Sequence, residues 1–124
     1  MSLKLEEDSY VVCRVQDLPP GERIIVPVGK FGVGVFNVNG TFRALTNYCP
    51  HEGGPLCIGP VRGTTTVDES AIGGVGWIRE HEIVKCPWHQ WEFDITTGVN
   101  LADPQKRVRT YEVDVTDGQV YLTA

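Results

Sequence analysis

The sequence predicts an all-β protein, a small sandwich or barrel, and three observations carry that expectation. Apolar residues alternate with period two through most of the chain. Asn39-Gly40 and Asp117-Gly118 each lie between two such runs, and these dipeptides supply the positive φ angles that type I′ hairpin turns require. Fourteen glycines and eight prolines among 124 residues favour short strands and tight turns over long helices.

The elements follow in order. Tyr10-Val11-Val12-Cys13-Arg14-Val15 is the first strand, closed by Leu18-Pro19-Pro20-Gly21. Arg23-Ile24-Ile25-Val26-Pro27-Val28 is the second and stops at Gly29. Gly32-Val33-Gly34-Val35-Phe36-Asn37-Val38 then turns through Asn39-Gly40 into Thr41-Phe42-Arg43-Ala44-Leu45-Thr46. In the C-terminal third, Trp91-Glu92-Phe93-Asp94-Ile95 ends at Thr96-Thr97-Gly98. Residues 107–115 alternate again and return through Asp117-Gly118 as Gln119-Val120-Tyr121-Leu122. No amphipathic helical window exceeds two turns, and there is no internal repeat.

Two segments do not alternate. Residues 49–60 are rich in Pro and Gly. Residues 62–76 run through Thr, Gly and acids with little to bury, which predicts a surface loop or an insertion. The length suits one buried core, so a single domain over 1–124 is expected.

Eleven basic against sixteen acidic side chains leave a net charge of −5. Such a surface repels phosphate backbones and anionic lipid, so neither nucleic acid nor membrane is an expected partner; it would favour a partner with a basic docking face. The first eight residues hold no apolar stretch, and no window approaches the roughly 18 apolar residues of a membrane span. The expected location is cytoplasmic, where thiols stay reduced. The four cysteines are then free thiols or metal ligands.

Two short motifs carry the chemistry: Cys49-Pro50-His51 and Cys86-Pro87-Trp88-His89. Each offers one thiol and one imidazole from a Pro-containing loop after a strand, so two such loops side by side present two Cys and two His to one point. That set suits a binuclear iron–sulfur centre in which two His replace two Cys on one iron. It is also a structural zinc set. A zinc finger usually pairs Cys with Cys and His with His, the histidines on a helix; here each loop mixes the two, and no helix is predicted. Cys13 reads as a small core residue in a strand, and Cys57 as a buried loop thiol near the site. His81, inside Arg79-Glu80-His81-Glu82, reads as part of a solvated turn without a metal role.

Cys49-Pro50-His51-Glu52-Gly53-Gly54-Pro55-Leu56 and Cys86-Pro87-Trp88-His89-Gln90-Trp91-Glu92-Phe93-Asp94 resemble the two cluster loops of Rieske proteins, and the flanking sequence resembles the small Rieske ferredoxins over nearly the whole chain. The resemblance implies a small β-barrel or sandwich whose cluster-binding subdomain is formed by two loops, near 49–60 and 86–91. It implies one Rieske-type [2Fe–2S] cluster per chain, with Cys49 and Cys86 on the inner iron and His51 and His89 on the outer one. It further implies one-electron transfer from a flavin-dependent reductase to a terminal oxygenase, the chain itself not being a catalyst. Two alternatives stand beside this: a small subunit of a nitrite-reductase-type oxidoreductase, and a structural zinc-binding interaction module.

The chain departs from the family pattern in three places. The two motifs are separated by about twice the usual gap, the excess falling in 62–76. Gln90 stands where the family usually has Gly; a positive φ there would store about 1 kcal/mol or more of strain. Gly54 and Trp88 stand near the cysteines that form an extra disulfide in respiratory Rieske subunits, so that bridge is absent. Trp91 and Phe93 stand where those same respiratory subunits have hydroxyl donors to the cluster sulfurs, which predicts a potential toward the low end of a span of about −150 to +300 mV. Pro50, Pro55, Leu56, Pro87 and Trp88 are expected to rim the tip and to dock a partner.

Overall fold

The computed structural model describes residues 3–6, 9–50, 53–67, 75–88 and 90–124, with backbone alone for 3–6, 64–67 and 75–80. The strands are β1 (Leu3–Glu6), β2 (Ser9–Arg14), β3 (Arg23–Val26), β4 (Val33–Val38), β5 (Thr41–Thr46), β6 (Val61–Val67), β7 (Val75–Lys85), β8 (Glu92–Asp94), β9 (Thr110–Thr116) and β10 (Gln119–Thr123). Single turns of 3-10 helix lie at Val15–Asp17 and Leu56–Ile58. Seven strands form one antiparallel sheet in the order β1-β2-β10-β9-β5-β4-β3, curled into a nearly closed barrel, and β6-β7-β8 form a second.

The expected all-β class is what the chain adopts. Both dipeptide turns have the expected form: Asn39 and Gly40 have φ of 51° and 98°, and Asp117 and Gly118 have 51° and 76°. They pair Val38 with Thr41 and Thr116 with Gln119. The connection that matters for function is between β5 and β9. These neighbours pair only at Ala44–Tyr111 and Leu45–Thr110. The described residues between them in sequence leave the barrel at one end and return to the same seam.

β4 is buried at all six positions because it separates two cores. Val33 and Val35 point into the barrel with Val12, Val26, Ala44, Val120 and Leu122. Phe36 and Val38 face the other way, onto Leu56, Val84, Phe93 and Ile95 beneath the small sheet. Side chains alternate faces along a strand, so one apolar strand serves both layers. At Gly34 the second face is notched: a Cβ there would stand 2.5 Å from the Cβ of Cys57.

The described parts of 62–76, where a surface loop or an insertion is expected, are strand. Arg62 to Val67 belongs to β6, which pairs with β7 through Thr64–Ile78, Thr65–Trp77, Thr66–Gly76 and Val67–Val75. Thr is β-branched and suited to strands, and a run of it hid the ladder by replacing an apolar alternation with a polar one. Residues 68–74 lie outside the described residues. His81 also differs from a solvated turn. Between the pairs Arg62–Ile83 and Thr64–Ile78, one residue of β6 faces four of β7, a bulge in which His81 has φ of 67°. Its ring packs on Gly21, and its Nδ1 lies 3.2 Å from Asn39 Oδ1, tying the small sheet to the barrel's far turn.

Candidate metal centre

Both motif cysteines sit at the first position of the same backbone turn. The carbonyl of Cys49 accepts the Gly53 N–H, and its own N–H donates to Gly54 O, each at 2.8 Å. In the second loop the carbonyl of Cys86 accepts the Gln90 N–H, and its N–H donates to Trp91 O, again at 2.8 Å. Each reversal has a residue at positive φ four places after the cysteine: Gly53 at 75° and Gln90 at 62°. Glycine reaches that region freely, whereas a side chain there costs about 1–2 kcal/mol. The strain expected at Gln90 is therefore present.

The turns hold their thiols inward. Cys49 and Cys86 are both buried, within one apolar cluster that includes Phe36, Leu56, Phe93 and Ile95. The loops touch at Gly54, where a Cβ would lie 3.2 Å from Cys86 Sγ and 2.9 Å from the Trp88 ring. Where the resemblance marks the lost disulfide, a glycine seats a tryptophan, and all four cysteines are free thiols. His51 and His89 fall inside the two turns in sequence and lie outside the described residues, as does Glu52. Among the described residues no group of three or more His, Cys, Asp and Glu gathers as a metal site.

The frame around the turns was not legible in the sequence. Asn47 Oδ1 accepts the Cys57 N–H at 2.8 Å, while the Asn47 N–H donates to Gly32 O, so the loop is pinned to β4's entry. Arg23 reaches across from β3 to donate to Ile58 O at 2.8 Å. Gly59 lies so close to the Lys85 carbonyl that a Cβ would overlap it, which sets the first loop directly against the residue before Cys86. A Gly-Pro pair signals a turn, but nothing in a single sequence says which distant backbone the glycine must admit.

Cys57 is the buried loop thiol expected. Its Sγ donates toward Leu45 O at 3.5 Å and Thr46 O at 3.4 Å. Burial pushes its pKa up to about 12, and the Gly34 amide and Arg23 charge, which act the other way, do not offset that. It is thus a neutral proton donor turned toward the barrel. Cys13 is half-buried against the barrel core, its thiol pKa also raised by burial. The expected apolar rim needs one correction. Leu56 is fully buried because the 3-10 turn points Leu56 and Cys57 inward; the same turn exposes Ile58.

Residues 8–112 match the family model of the Rieske [2Fe-2S] domain. The chain belongs to this family. It is 27% identical to a human Rieske domain-containing protein, over 97% of this chain and 77% of that one. It is 29% identical to the 3-phenylpropionate/cinnamic acid dioxygenase ferredoxin subunit of Photorhabdus laumondii, over 90% of each. The fold matches a chain of the complex of reduced oxygenase and oxidized ferredoxin in carbazole 1,9a-dioxygenase with a TM-score of 0.73. That match is at 24% identity over 95% of this chain and 94% of the other.

The donor set fits a [2Fe–2S] group. Two buried thiols share one apolar cluster, Gly54 admits Cys86 Sγ and the Trp88 ring, each thiol lies in a turn whose next residues in sequence include an imidazole, and the third nearby thiol is occupied elsewhere. Bound there, the group supplies reversible one-electron chemistry. No helix of the described residues is long and apolar enough to cross a membrane.

Proposed function

We propose that the chain is a one-electron carrier. Cys49, Cys86, His51 and His89 hold one Rieske-type [2Fe–2S] cluster, and the whole of 1–124 is a single domain built around it. The matched turns at Cys49 and Cys86 support this reading, since the same hydrogen bonds hold two buried thiols within one apolar cluster. The electrons pass from a flavin-dependent reductase to a terminal oxygenase, in the cytoplasm. Likeness along its length to the ferredoxin subunit of a dioxygenase, and to a chain of an oxygenase–ferredoxin complex, supports the oxygenase as acceptor.

The test is electron paramagnetic resonance on anaerobically purified, dithionite-reduced protein, with iron and zinc assayed on the same sample. About two irons per chain and a rhombic signal are expected. One zinc per chain without a signal would replace the carrier by a structural zinc module.

A further inference from the structure

The two flanks of the loop pair differ in chemistry. On the first-loop side, exposed Phe31 stacks on Tyr48 with ring centroids 4.4 Å apart, and the Lys30 ammonium lies 5.5 Å from the Phe31 centroid. The Tyr48 ring abuts Gly53, and Gly54 beside it seats Trp88, which is 57% exposed. Pro87 packs on Gly59, next to Ile58 at 52% exposure, and the Ile58 carbonyl holds the Arg23 guanidinium. Among the described residues these contacts form an apolar collar that runs from Phe31 past Gly54 and Cys86 to Ile58, with Lys30 at one end and Arg23 at the other. Among the described residues of 28–32, 47–50, 53–60 and 85–88 there is no carboxylate; exposed Glu22 precedes Arg23, and Glu52 lies outside the described residues.

The second-loop side is unlike this. Gln90 and Trp91 open onto a groove of about 520 Å³ walled by Leu101 and by Glu92, Asp103 and Lys106, charges of both signs. Exposed acids such as Glu112, Asp114 and Asp117 lie on β9 and its turn, away from the collar. Among the described residues the charges beside the collar are thus mainly cationic, although the chain's net charge is −5.

We infer that the redox partner docks on the first-loop flank, over Phe31, Ile58 and Trp88, and that its complementary patch is apolar at the centre and acidic at the margin. The need for a partner rests on the electron-carrier reading; the chemistry of that partner rests on the collar. Large rigid aromatics supply contact area at little entropic cost, and cations at the rim steer the encounter. This reverses the basic-faced partner that the overall charge would favour, because screening confines the field at the tip to charges within about 10 Å.

The test uses the oxidised, cluster-loaded protein, labelled with ¹⁵N and titrated with hexacyanochromate(III), a redox-inert paramagnetic trianion. Hexaamminechromium(III), an inert trication, is titrated in parallel. The trianion should broaden the amides of Lys30, Phe31 and Ile58 and spare those of Asp103 and Lys106, while the trication gathers on Asp114 and Asp117. Lys30→Glu should weaken the collar broadening by about threefold or more at low salt, and Lys106→Glu should leave it unchanged. Trianion broadening that is unlocalised or centred on the groove overturns the inference. So does sedimentation showing a dimer that Phe31→Ala and Trp88→Ala abolish, since the collar would then face a second copy. A sample without iron removes the carrier reading and the inference together; a loaded sample whose collar ignores the trianion removes the inference alone.

Discussion

The loops at Cys49 and Cys86 close with the same two hydrogen bonds, yet they are built from different materials. The first places glycine at the positive-φ residue; the second places Gln90 there, at 62°. The first is braced by Asn47 and Arg23, while the second is short and bound between β7 and β8. The imidazole falls two residues after the cysteine in one and three after it in the other. The shared element is the backbone turn that aims a thiol inward. What varies is how each loop is held to its sheet and what it shows to solvent.

The largest effect expected is on the shared element. Cys49→Ser and Cys86→Ser should each abolish the cluster, read as loss of iron and of visible absorption; retention of two irons in either would break the equivalence of the turns. Next, Gly59→Ala should force the loops apart, because the new Cβ would overlap the Lys85 carbonyl. A loss of about 3 kcal/mol or more, measured by urea unfolding, is expected from overpacking against rigid backbone. A loss below about 1 kcal/mol would show that the loops do not need this approach.

Cys57 gives a pH test of the first loop alone. Its folded pKa is raised to about 12 from an ordinary value of 9.0, so the unfolded chain releases this proton first. The stabilisation is therefore complete below pH 9 and is lost as pH rises from 9 toward 12. The slope should approach about 1.4 kcal/mol per pH unit, the free energy of one proton. Cys57→Ala should lack that slope, and iodoacetamide should not label Cys57 in the folded protein at pH 8. A smaller and opposite pair of effects separates the loops at the positive-φ residue. Gly53→Ala should destabilise by about 1 kcal/mol, whereas Gln90→Gly should stabilise by up to about 1 kcal/mol, offset in part by glycine's freedom in the unfolded chain. Equal signs in thermal unfolding would mean that the two turns are not strained alike. Last, a redox titration should place the midpoint toward the low end of about −150 to +300 mV, because Trp91 and Phe93 offer no hydroxyl to the cluster sulfurs. A strongly positive midpoint would mean that other donors reach them.

The sequence alone was enough for the all-β class, both type I′ turns and the two cysteine loops. These depend on local chemistry: alternation along a strand, positive φ at Asn-Gly and Asp-Gly, and Cys next to Pro. Through the likeness to Rieske proteins it marked Gln90 as strained should its φ be positive, and it marked Cys57 as a buried thiol of the first loop. It missed the β6–β7 ladder, because a polar Thr run carries no apolar alternation to read. Tertiary structure alone decided that β5 and β9 close the seam from which both loops project, and that Leu56 turns inward while Ile58 turns out. It also brought Gly34 to Cys57, Gly59 to Lys85 and Arg23 to Ile58. Those contacts join residues that are distant in sequence, and packing at near-crystalline density rather than local propensity selects them. The placement of charge among the described residues has the same origin: composition fixes the total, and the fold distributes it.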